Sequence, residues 1–141
     1  MRDLIEGFGR KFEQIDAETR TLLGMIPVGQ IFANVGEAEL PNMSAGTCLL
    51  RSAAAVEQTF GGITTRLWDD PFEWTLPEKL STHELILEYL DEVAETRRHG
   101  LGFLASDDDL KRELPAPEKL RSIFSLLLET AATADHYLGR A

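Results

Sequence analysis

Cationic side chains are the first shortage in this sequence. Its 141 residues carry 14 Lys and Arg against 24 Asp and Glu, a formal net charge of −10. A duplex-binding surface neutralises phosphates with clustered cations, so neither nucleic acid nor an anionic membrane surface is expected as a partner. The one basic cluster, Arg97-Arg98-His99, reads as favourable charge near a helix C-terminus. Long apolar runs are missing too: none reaches about 18 residues, so no transmembrane helix is predicted. The opening MRDLIEGFGRKFEQ is interrupted by charges every few residues and has no signal-peptide h-region. Cysteine is almost absent. Cys48 stands alone, cannot close an internal disulfide, and fits a reducing cytoplasm. There is no Gly-rich phosphate loop, no G-x-S-x-G and no H-E-x-x-H. The run Asp107-Asp108-Asp109 lacks metal-loop spacing and suits a helix N-terminus instead.

Helical periodicity is what the sequence does have. Ile5, Phe8, Phe12, Ile15, Thr19, Leu22 and Ile26 alternate spacings of three and four, which predicts one apolar seam ended by Pro27. Residues 27–43 have no period and form a connection, with Ile31, Phe32 and Val35 tucked against the bundle. Ser44 reads as the N-cap of a second helix whose stripe is Ala45, Leu49, Ser52, Val56 and Phe60, ended by Gly61-Gly62. About 20 aperiodic residues follow. A crossover along the bundle explains that length, pinned by Leu67, Trp68, Phe72 and Trp74. Ser81 and Glu84 form a predicted capping box for a third helix facing inward through Ile86, Leu90 and Val93, with Leu101 and Leu104 continuing the face. Ser106 caps a short acidic helix with Leu110 inside. Pro115 and Pro117 open the fourth helix, with a seam of Leu120, Ile123, Leu127, Thr130, Ala134 and Tyr137. That seam turns small and polar in its second half. No convincing strand is present. The expected fold is a single all-α domain over 1–141, a four-helix bundle in up-down-down-up order with the long crossover between helices 2 and 3.

In order and spacing, TLLGMIP (21–27), SAGTCLLRSAAAVEQTF (44–60), LSTHELILEYLDEVAETR (80–97), SDDDL (106–110) and LLLETAATADHYLGRA (126–141) resemble the DinB-like (YfiT-type) superfamily of four-helix bundles. The resemblance covers nearly the whole chain. It implies a homodimer and a site where one His of the second helix and two of the fourth hold nickel or zinc, serving metal-dependent thiol transferases or related isomerases. Two His at i and i+4 share a helix face, and a third from a neighbour completes a set with open positions.

Matched to the family's motifs, those three positions hold Arg51, Thr133 and Tyr137. A guanidinium stays protonated and cannot ligate a metal, so no metal cofactor is expected. His83 and His99 lie 16 residues apart on one helix, roughly 24 Å at 1.5 Å per residue. The helix order would instead gather His83, Arg51 and His136 at one end of the bundle. Arg51, Thr133, Tyr137, Cys48, His83 and His136 are therefore the candidate pocket residues, with Glu57, Glu129 or Asp135 as partners for Arg51. The expected function is a metal-less module binding a small anionic or thiol ligand, or acting through interaction. The alternative is a metal- or thiol-dependent transferase rebuilt around His83, His136 or Cys48.

Overall fold

The computed structural model describes residues 1–31, 44–65, 68, 80, 82–116 and 119–140. Four helices dominate it: α1 (Asp3–Met25), α2 (Ala45–Thr65), α3 (His83–Gly102) and α4 (Ile123–Arg140). Strands β1 (Glu113–Pro115) and β2 (Leu120–Ser122) form a small antiparallel ribbon before α4. The chain is an all-α four-helix bundle with this ribbon as its only sheet among the described residues. Phe32, Val35, Leu67, Phe72, Trp74, Ser81 and Pro117, to which the sequence assigns packing or capping roles, lie outside them.

Inter-helix contacts fix the relative directions. Along α1, Arg2, Phe12, Arg20 and Leu23 meet Leu104, Arg97, Asp91 and His83 in turn, so α1 and α3 run antiparallel. Ser52 Oγ donates to the Ala134 carbonyl at 3.0 Å and Thr59 pairs with Thr130, so α2 and α4 are also antiparallel. Phe8 meets Phe124 and Lys11 meets Asp135, which sets α4 parallel to α1.

The seam of α1 drifts from a strict three-four repeat. Leu23 is buried, whereas Leu22 is only partly so. Leu23 lies 18 residues after the buried Ile5, five whole turns at 3.6 residues each, and the shorter repeat slips by about 20° per heptad. Both ends of α1 are closed by distant side chains. Asp107 accepts from the N–H groups of Leu4 (3.1 Å) and Ile5 (3.0 Å), placing an anion at the positive end of the dipole. His83 Nε2 lies 3.0 Å from both the Leu23 and the Ile26 carbonyls, so it is the protonated ring nitrogen and donates to orphan acceptors of the last turn.

Four expectations from the sequence need correction. First, α2 runs through Gly61-Gly62 to Thr65. A Cβ on Gly62 would lie 2.4 Å from the Trp68 ring, so this glycine admits an aromatic against the helix rather than ending it. Second, the side-chain cap of α3 is Thr82, whose Oγ1 accepts from Leu85 N at 3.2 Å. Helix register starts one residue later than a Ser81–Glu84 box requires. Third, Pro115 ends β1 instead of opening α4, and Leu120 is exposed in β2. Proline has no N–H to donate and suits the end of an edge strand. Its carbonyl is taken by Trp68 Nε1 at 3.0 Å. Ser122 Oγ accepts from Ser125 N at 3.1 Å in the first turn of α4. Fourth, Arg97-Arg98-His99 is no cluster. Arg98 pairs with Glu95 at 2.9 Å and His99 packs edge-on to Phe103. Arg97, 4% exposed, reaches inward and donates to the Phe12 carbonyl at 3.2 Å. Burial pushes its guanidinium pKa down, and the nearby Asp16 carboxylate opposes this.

Packing is close where Phe60, fully buried, sits over Gly100 of α3 and meets Phe12 edge-on at 5.2 Å. A Cβ at Gly100 would come 2.5 Å from Phe60 Cδ1, and overpacking of that kind costs about 1–3 kcal/mol. Gly100→Ala is therefore expected to lower unfolding free energy by about that amount in urea titration. The control Gly24→Ala, whose methyl meets nothing, should be neutral or gain up to about 1 kcal/mol.

Candidate functional site

A cleft lies between α2 and α4, with a cavity of about 210 Å³. Its apolar walls are Ala55 of α2, Leu126 of α4, Ala116 after β1, and the Trp68 indole. Trp68 is fixed at three points. Its ring abuts Gly62, its Nε1 donates to Pro115 O, and its carbonyl accepts from Gln58 Nε2 at 3.1 Å. The polar lining is Thr59, Thr130 and Thr133 together with Gln58, Arg121 and Glu129. Thr59 Oγ1 and Thr130 Oγ1 are 2.6 Å apart and each residue is 7% exposed. Arg121 of β2 crosses to α4, pairing with the Glu129 carboxylate and reaching Ser125 Oγ at 3.4 Å.

Of the six residues singled out in the sequence, only Thr133 lines this cleft. Helix pairing puts Arg51 and Tyr137, both half-buried, about one turn nearer the bundle end. The Tyr137 ring packs on His136, with centroids 5.4 Å apart, and His136 itself is exposed. Two of the three partners proposed for Arg51 form other ion pairs: Asp135 binds Lys11 at 2.7 Å and Glu129 binds Arg121. His83 lies at the same end as His136, but its Nε2 is held by the α1 carbonyls. Among the described residues, no group of three or more His, Cys, Asp or Glu is placed to hold a metal ion. No helix among them is long and apolar enough to cross a membrane.

Cys48 is fully buried. Burial pushes its thiol pKa up, against the opposing charges of Arg140 and Arg51. The nucleophile is the thiolate, so this group is a poor one. Glu57, also on α2, has its carboxyl pushed up by burial, with the Tyr89 hydroxyl pulling the other way and the Glu92 charge adding to the rise.

The sequence reading missed Thr59, Gln58 and Arg121 as site residues and gave Glu129 only as a partner for Arg51. The available signal was the turn of the α4 seam from leucines to Thr130, Thr133 and Ala134, where small side chains leave space. Arg121 was out of reach because its position depends on a ribbon that periodicity does not reveal. Comparison of the chain with protein-family models, curated proteins and solved structures returns no match.

Two expectations follow. Native protein should leave Cys48 unmodified by a thiol reagent such as dithionitrobenzoate on a timescale of minutes, with one equivalent reacting in urea; rapid native labelling would contradict the burial. Glu57 keeps its proton to higher pH when folded than when unfolded. Stability is therefore fully present below the ordinary value of 4.5 and falls as pH rises through the higher folded value. Glu57→Gln should match the parent near about pH 4 and be more stable at about pH 7, read by urea denaturation.

Proposed function

We propose that this protein is a divergent DinB-like bundle without the superfamily's metal site, and that it binds a small molecule in the α2–α4 cleft. The observation that carries the reading is the cleft itself: an indole wall fixed at three points faces threonine hydroxyls and an Arg–Glu pair. Polar groups that converge opposite an apolar wall fix the orientation of a bound molecule. The volume of about 210 Å³ suits a small metabolite rather than a drug-sized one. In support of the family, the four-helix fold agrees with the one its motifs imply. The reading also carries a cytoplasmic setting, supported by the free thiol of Cys48. A homodimer belongs to it as well, supported by the exposed Leu4, Phe124 and Leu128, which continue the Phe8–Phe124 contact across α1 and α4. A transferase rebuilt on Cys48 or His83 has less behind it, because the thiol is sealed and the imidazole Nε2 is engaged.

A thermal-shift screen of small metabolites against the whole protein and Ala55→Leu, which fills the cleft, tests the reading. Compounds should raise the parent's Tm and lose that effect in the variant. Stabilisation that persists unchanged in Ala55→Leu would move the seat elsewhere. Stoichiometric nickel or zinc retained against a chelator would overturn the metal-less assignment.

A further inference from the structure

We infer that the ligand of the α2–α4 cleft is a small carboxylic acid with a flat apolar body, its carboxylate held by Arg121 and the threonine hydroxyls and its body laid against Trp68. This rests on the cleft being the binding seat. Each threonine hydroxyl offers one proton and two acceptor lone pairs. The Thr59–Thr130 bond uses one of two protons, and neither side chain has another partner. One donor therefore remains in a buried position on the cleft floor. The Thr133 hydroxyl has no hydrogen-bond partner among the described residues. Other helical threonines behave differently: Thr19 and Thr64 turn their hydroxyls back onto the Ile15 and Phe60 carbonyls at 2.8 and 3.1 Å. A buried donor without an acceptor costs about 1–3 kcal/mol, so the site is built for something that accepts.

Arg121 supplies the charge. Its side chain is 20% exposed, and its bonds to Glu129 and Ser125 both leave from Nη2. Among the described residues Nε and Nη1 have no partner; both carboxylate-pairing edges of a guanidinium include Nη2, so a full edge opens once Glu129 leaves. Glu129 is 64% exposed, so its carboxylate returns to water at little cost when a ligand takes its place. On the opposite side, Gln58 donates one Nε2 N–H to the Trp68 carbonyl and keeps its second N–H and its oxygen. The unused N–H groups of Arg121 and the threonine protons without an acceptor favour an anion over an amine. Size agrees: a cavity of about 150 Å³ in another protein admits benzene, and this one has about 210 Å³.

The test is calorimetric titration of the full chain with benzoate and with its uncharged match, benzamide. Benzoate should bind at least about tenfold tighter, the effect of a charge-assisted hydrogen bond. Arg121→Gln should abolish that preference and leave benzamide unchanged. Glu129→Gln, which frees Arg121 from its competitor, should tighten benzoate, a change of the opposite sign that a merely structural ion pair would not give. Benzamide binding as tightly as benzoate, no binding of either, or a preference unmoved in both variants overturns the inference. The cleft as binding seat fails separately, only if no compound in the metabolite screen loses its stabilisation in Ala55→Leu.

Discussion

The grip of α3 on α1 sets the frame for everything else in this bundle. The dipole of α1 is closed at its start by Asp107 and at its end by His83, with Arg97 reaching the Phe12 carbonyl between them. Two of these contacts come from α3 and the third from the short acidic segment that follows it, and together they leave α1 little freedom to slide. Phe60 of α2 then seats over Gly100 of the fixed helix, and that contact sets the height of α2. The Ser52 and Thr59 bonds carry the same register to α4. The hydroxyl floor of the cleft is thus positioned by a chain of contacts that begins at the far side of the molecule.

The two sides of the bundle are packed with different materials. Phe8, Phe12 and Phe60 meet one another or their neighbours ring to ring and fill the side toward α1. Between α2 and α4 the facing residues are Ser52, Ala55, Thr59, Thr130, Thr133 and Ala134, whose volumes are too small to close the gap once the register is fixed. The cavity is a consequence of that asymmetry. Arg97 shows what a bundle of this size tolerates elsewhere: a guanidinium inside the core, its stem packed and its head on a carbonyl.

The helices were legible because periodicity reports burial directly, and Ile5, Phe12, Ile15, Leu49, Val56, Phe60, Ile86, Leu90, Ile123 and Leu127 all lie where the spacing puts them. Punctuation was less legible. Gly61-Gly62 looks like a stop, yet a tertiary partner, Trp68, makes Gly62 a seat. Pro115 looks like a helix start, and three-residue strands carry too little pattern to say otherwise. The site was legible only in outline. Thr133 was found through its motif position, whereas Arg121 reaches the cleft through a fold-back that no local pattern announces.

That fold-back places the two halves of the cleft on parts of unequal standing. The hydroxyls belong to long helices whose alignment the whole bundle enforces, while the guanidinium rides on a three-residue strand at the rim. A change in the ribbon can redraw what is recognised without disturbing the scaffold beneath it. The chemistry of selection is thereby separable from the architecture of support, and the first can diverge while the second stays as it is.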